Sequence, residues 1–151
     1  MKLKTLILYC LAQGAIAGEC PPVSRELTAL IEANTNKVRG IEYCQYRTIK
    51  SSNRREVALY TVEGACFGAE GVKGTCGNGH ARYLTGIDNG TALAPYEIDK
   101  TNSFMATNFE FKDEGILVSG LEYLSEDARC CPSKKAERLI MITPNGFELK
   151  K

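Results

Sequence analysis

The chain has 151 residues, with 19 lysines and arginines against 18 aspartates and glutamates and a single histidine, so its formal charge at neutral pH is only +1. That balance lacks the basic footprint of a nucleic-acid binder, and the length suits one domain. Seven cysteines in so short a chain direct attention to export and disulfides before any catalytic reading.

The first residues read as a targeting segment. Met1-Lys2-Leu3-Lys4 is a basic head, Thr5 to Leu11 is mostly apolar, and Ala15-Ile16-Ala17 fits a small-residue cleavage pattern. The spacing predicts a signal peptide over 1–17, cleaved after Ala17, and the apolar run is too short to span a membrane. Cleavage would remove two lysines and Cys10, leaving 17 basic against 18 acidic residues and a charge of about −1. Residues 18–151 are then expected to form a single disulfide-stabilised domain in the periplasm or secreted, with no transmembrane segment in the mature chain. Six cysteines remain: Cys20, Cys44, Cys66, Cys76, Cys130 and Cys131.

After Cys20-Pro21-Pro22, Ser24 is a good N-cap and Glu26 lies in the first turn of a predicted helix, where the dipole favours an anion. Leu27, Leu30 and Ile31 share its apolar face, Asn34-Thr35-Asn36 weakens it, and Gly40 is expected to stop it. A Cys20–Cys44 bridge would tie both helix ends to the body. Ile41 to Ile49 alternates as an edge strand, and Ser51-Ser52-Asn53 turns the chain.

Val57 to Val62 is short, apolar and β-branched, with neither face clearly polar. That pattern predicts a central strand covered on at least one side. Glu63-Gly64-Ala65-Cys66 ends it in a Gly-rich loop, and a Cys66–Cys76 bridge would staple this loop for roughly 2–4 kcal/mol. Ala81 to Ile87 is the returning antiparallel strand. Asp88-Asn89-Gly90 is a tight hairpin turn. Leu93 to Ile98 is weakened by Pro95 and belongs at an edge.

Met105 to Phe111 alternates, with Met105, Thr107, Phe109 and Phe111 on one side. Lys112 to Gly115 turns into a partner strand over 116–124. A polar loop, Ser125 to Lys135, carries the adjacent cysteines. Leu139 to Ile142 and Phe147 to Leu149 complete a meander. The fold class expected is therefore α+β: an antiparallel β-sheet with one N-terminal helix packed on it, disulfide-stapled.

No catalytic constellation stands out, and no catalytic, cofactor-binding or metal-ligating residue is assigned. His80 follows Cys76-Gly77-Asn78-Gly79, but a Cys–His pair needs a reduced thiol, and no compact pair of Cys-x2-4-Cys groups suggests zinc. Tyr60, His80, Arg82, Tyr83 and Arg129 form a candidate recognition surface, since Tyr and Arg are favoured in interfaces. Six cysteines allow 15 pairings. Cys130 and Cys131 are open to bonding each other, to pairing elsewhere, or to remaining thiols.

Asp127-Ala128-Arg129-Cys130-Cys131-Pro132-Ser133, together with Ala58 to Cys66 and the Tyr83-Leu84 strand, resembles the small exported bacterial proteins of the LppP/LprE lipoprotein type. The resemblance covers roughly residues 55 to 149 and implies a bacterial envelope location. Cys20 departs from the pattern, because Glu19 stands where a lipobox needs a small residue. The function expected is an exported non-enzymatic protein-binding module: an inhibitor or immunity protein for an envelope or secreted enzyme. The alternatives are a thiol–disulfide redox protein using Cys130 and Cys131, and a passive envelope component.

Overall fold

The computed structural model describes residues 19–67, 71–77, 79–99, 103–128 and 130–150. The predicted signal peptide and Cys10, the turn at Lys100-Thr101-Asn102, and Arg129 lie outside the described residues.

Helix α1 (Arg25–Lys37) starts as its sequence dictates: the Ser24 hydroxyl accepts from the Leu27 N–H at 3.2 Å, and the Ser24 N–H donates to Glu56 Oε1 at 3.0 Å. Its end differs from expectation. The left-handed residue is Arg39, with φ of +53°. The Gly40 N–H donates to Thr35 O and the Arg39 N–H to Asn36 O, both at 3.1 Å, which is a Schellman cap with arginine at the position glycine usually takes. Gly40 serves a different need, because a Cβ there would collide with the Val62 side chain and come within 2.9 Å of Glu63 O.

The expected single sheet is two antiparallel sheets. In the first, β1 (Ile41–Glu42) and β2 (Thr48–Ser52) lie along one edge and both pair with β3 (Arg55–Glu63). Then β3 pairs with β4 (His80–Asp88), and β4 with β5 (Thr91–Glu97). The expected continuous strand over 41–49 is thus broken by a 3-10 turn at Cys44–Tyr46. The second sheet is a meander of β6 (Phe104–Lys112), β7 (Gly115–Glu122), β8 (Lys134–Thr143) and β9 (Gly146–Leu149).

The hairpin turns follow local chemistry. Asn53 and Arg54 (φ +46° and +63°) close β2–β3, and Asn89 and Gly90 (φ +49° and +82°) close β4–β5. Two positive φ values in a two-residue loop match the right-handed twist of the flanking strands.

Side-chain alternation on β3 builds two cores. Val57 and Leu59 point to one face, where they cluster with Leu84 and Leu93 of the first sheet and Phe104, Phe109, Ile116, Val118 and Ile140 of the second. Ala58, Tyr60 and Val62 point to the other, where they share a buried cluster with Leu27, Ile31 and Val38. The sheets approach each other at β2 and β6 and at β5 and β9. Lys50 Nζ stands 5.6 Å from the Phe109 ring centroid at the first of these meetings, and the Tyr96 and Phe147 rings lie 6.4 Å apart at the second.

The alternation expected for 105–111 changes phase. Phe104 and Ala106 are buried, then a bulge between Ala106 and Asn108 shifts the register so that Phe109 is the next core residue. An extra residue on one strand moves every following side chain to the other face.

Three cysteine pairs close: Cys20–Cys44, Cys66–Cys76 and Cys130–Cys131, with Cα separations of 5.1, 5.0 and 3.8 Å.

Candidate functional site

The stapled loop after β3 is fastened to the C-terminal end of α1. The Cys66 N–H donates to Val38 O and the Gly74 N–H to Arg39 O, both at 2.9 Å. Lys73 Nζ donates to Asn36 Oδ1 at 2.7 Å, and the Arg39 guanidinium donates to Gly71 O. Within the loop the Thr75 hydroxyl donates to Val72 O at 2.7 Å. Gly74 has a φ of +82° and lies directly against the Ile41 side chain, so a side chain there would be both strained and obstructed. Cys66 is buried. Residues 68–70 and Asn78, part of the same Gly-rich run, lie outside the described residues.

This fixed frame holds apolar side chains in water. Phe67 is 65% exposed and Val72 73%, and Ile41, which lies against Gly74, is also exposed. A groove of about 560 Å³ adjoins the loop between α1 and β1, lined by Ile31, Thr35, Asn36, Ile41, Glu42 and Lys73. Sequence reading pointed to this loop through its cysteines and glycines but passed over Phe67 and Val72. Their signal was present: two large apolar residues in a glycine-rich stretch that offers them no strand or helix face.

The candidate recognition residues are not gathered on one surface. Tyr60 and Tyr83 are core residues, 1% and 4% exposed, with ring centroids 5.7 Å apart. Asn34 Nδ2 donates to Tyr60 Oη at 2.8 Å, so the asparagine expected to weaken the helix instead satisfies a buried phenol. Arg82 lies at a neighbouring, opposite-facing position of β4. Its backbone N–H donates to Asp99 Oδ1 at 3.1 Å, and its guanidinium is 3.6 Å from Asp99 Oδ2. Burial lowers the Arg82 pKa, and Asp99 opposes that shift. His80 is exposed at the start of β4, paired with Glu63. Arg129 lies outside the described residues.

The two buried tyrosines make stability pH-dependent. Burial raises the Tyr60 phenol, with the Asn34 hydrogen bond pulling the other way. Burial first, then the charges of Glu97 and Asp99, push Tyr83 up to about 12. The Tyr83 Oη has no hydrogen bond of normal geometry among the described residues. An unfolded phenol titrates near 10, so folding favours the neutral form. That contribution is complete below about pH 10 and is lost as pH rises towards the folded value. Urea midpoints are expected to fall between about pH 10 and 12, and Tyr83→Phe should make the fall shallower. A tyrosinate absorbance titration with every phenol ionising near 10 while the fold persists would contradict this.

Two other features complete the surface. A cleft of about 820 Å³ opens between the start of α1, the β2–β3 turn and the β4–β5 turn; Leu30, Ile87 and Ala92 are among its apolar lining residues, and Ser24, Arg54 and Glu56 among its polar ones. On the second sheet, the loop between β7 and β8 presents Cys130 and Cys131, both exposed. Among the described residues no three His, Cys, Asp or Glu side chains come together as a metal-ligand set, and no helix is long and apolar enough to cross a membrane. No family model matches the chain, and neither a curated protein nor a solved structure matches it.

Proposed function

We propose that this chain is an exported protein-binding module of the inhibitor or immunity type, and that it blocks an envelope or secreted enzyme by seating its stapled loop in that enzyme's cleft. The observation that carries the reading is the exposure of Phe67 and Val72 on a loop held by the Cys66–Cys76 bridge and by the end of α1. Exposed apolar side chains on a rigid frame fit an interface anchor, since little conformational freedom remains to be lost on binding. The adjoining groove gives the partner a concave surface as well. The resemblance of the Cys130-Cys131-Pro132-Ser133 segment to LppP/LprE-type proteins supports a bacterial envelope setting. The poor lipobox at Cys20 favours a soluble periplasmic product over an anchored one.

The test is capture from bacterial envelope extract under non-reducing conditions, followed by assay of the captured enzyme, with a cell-wall hydrolase as the leading class. Phe67→Asp combined with Val72→Asp is expected to weaken capture and inhibition at least tenfold, on the order of what a central interface anchor contributes. Because both side chains are exposed, the thermal midpoint should barely move. Undiminished binding by the double variant, or repeated capture of nothing, would sink the reading.

A further inference from the structure

We infer that Cys130–Cys131 is a reversible two-electron dithiol–disulfide site that exchanges with a dithiol partner, a role separate from the docking loop. Three observations converge on it. First, it is the one pair of the three with both cysteines exposed; Cys66 is buried and Cys44 half-buried in the other two. Disulfide exchange needs in-line access of an attacking thiolate to a sulfur, so exposure decides which bridge reacts.

Second, this bridge does the least for folding. A cross-link stabilises by restricting the unfolded chain, and the effect grows with the length of loop closed. The other bridges join residues 24 and 10 positions apart, whereas Cys130 and Cys131 are neighbours. A bond between neighbours closes almost no chain, so stapling does not account for it.

Third, the surrounding frame does not depend on the bond. Asp127 Oδ2 accepts from the Leu124 N–H at 2.8 Å and the Ser133 N–H at 2.9 Å, and Oδ1 accepts from the Ser133 hydroxyl at 2.7 Å. The Cys131 N–H donates to Ala128 O at 2.9 Å, and Pro132 is buried. Those hydrogen bonds, the Leu124 N–H first, lower the Asp127 carboxyl pKa. Neither sulfur takes part in these contacts. Opening the S–S bond therefore leaves both thiols on the same short turn, poised to close again.

The exchange balances with a dithiol as the reductant. One partner thiolate attacks a cysteine Sγ, forming a mixed disulfide and releasing the other Sγ as a thiolate that takes a proton. The partner's second thiol, as thiolate, attacks its own sulfur in the mixed disulfide and releases the remaining cysteine. The partner leaves as a disulfide, and Cys130 and Cys131 are left as two thiols.

The experiment treats the native oxidised protein with dithiothreitol, quenches in acid at intervals, alkylates, and maps the modified cysteines by peptide mass. Cys130 and Cys131 are expected to be labelled together at least about tenfold faster than any other pair, with the far-ultraviolet circular dichroism unchanged. Phenylarsine oxide, which needs two nearby thiols, should then form a one-to-one adduct on that peptide. After removal of the reductant, oxidised glutathione should restore the bridge, its disulfide taking up the two electrons as two glutathione thiols. The Cys130→Ser, Cys131→Ser double variant should lose the fast phase and keep its thermal midpoint. Reduction of this pair no faster than Cys66–Cys76, failure to capture the arsenical, or loss of folded structure on opening would each overturn the inference. None of these readouts involves the loop bearing Phe67, so the docking reading stands or falls separately.

Discussion

Replacing Phe109 with alanine is expected to remove about 3–5 kcal/mol of folding stability, the range for emptying a fully buried aromatic site. Phe109 is fully buried between the two sheets. Its ring meets Phe111 edge-on at 5.9 Å, and Lys50 Nζ stands over it from the first sheet. A cavity there would open where both sheets and the β2–β6 meeting converge, and paired backbones on either side restrict collapse. Urea unfolding followed by circular dichroism should show the midpoint fall with an unchanged slope. A loss under about 1 kcal/mol, the size typical of surface or volume-conserving changes, would mean that the sheets do not unfold as one cooperative unit.

Glu42→Ala should be nearly as damaging, at about 3–5 kcal/mol, because it strands a buried charge. Arg47 donates from Nε to Glu42 Oε1 at 2.6 Å and from Nη2 to Oε2 at 2.7 Å, a two-pronged pair with side chains only 10% and 6% exposed. The pair spans the 3-10 turn that interrupts the edge, joining the end of β1 to the start of β2. Replacing both residues with apolar ones of similar size should recover most of the loss, since the unpaired guanidinium then disappears with its partner. The exposed Lys112–Glu110 pair is the contrast, and its removal should cost no more than about 1 kcal/mol. Equal effects from the two pairs, measured by double-mutant cycles, would show that the Arg47–Glu42 pair is solvated in solution.

Much of the architecture was legible because local chemistry and tertiary packing agree. Ser24 caps the helix, Asn89-Gly90 turns the β4–β5 hairpin, and Val57 to Val62 carries apolar residues on both faces because both are covered. Where they part, tertiary packing decided. Gly40 is a stop signal by composition, yet the close approach of Val62 claims it and Arg39 takes the left-handed turn. Alternation across 105–111 could not reveal the bulge, because a register shift depends on the partner strand. Tyr60 and Tyr83 carry polar tips that suit a surface, and only the facing Asn34 and the stacking of the two rings explain their burial. The division into two sheets rests on which strands fail to pair, and no single strand encodes that. At the candidate site two cysteines in one Gly-rich loop suggested the Cys66–Cys76 staple, but count and spacing do not choose the partners of Cys130 and Cys131, and the prominence of Phe67 and Val72 required the loop's path.

The interruption between β1 and β2 has a consequence for crowded solutions. An open strand edge is a template on which a second copy can lay its own backbone, the first step towards a fibre. Here each flank of each sheet is blunted. The β1–β2 edge is broken by the turn at Cys44–Tyr46, and β5 carries Pro95, which has no N–H to offer. On the second sheet, β6 is kinked by its bulge, β9 runs for only four residues, and the part of β8 that β9 leaves unpaired, residues 134–138, is mostly charged. The molecule can therefore expose apolar side chains such as Phe67 and Val72 without also offering neighbours a long, uninterrupted ribbon of backbone to extend.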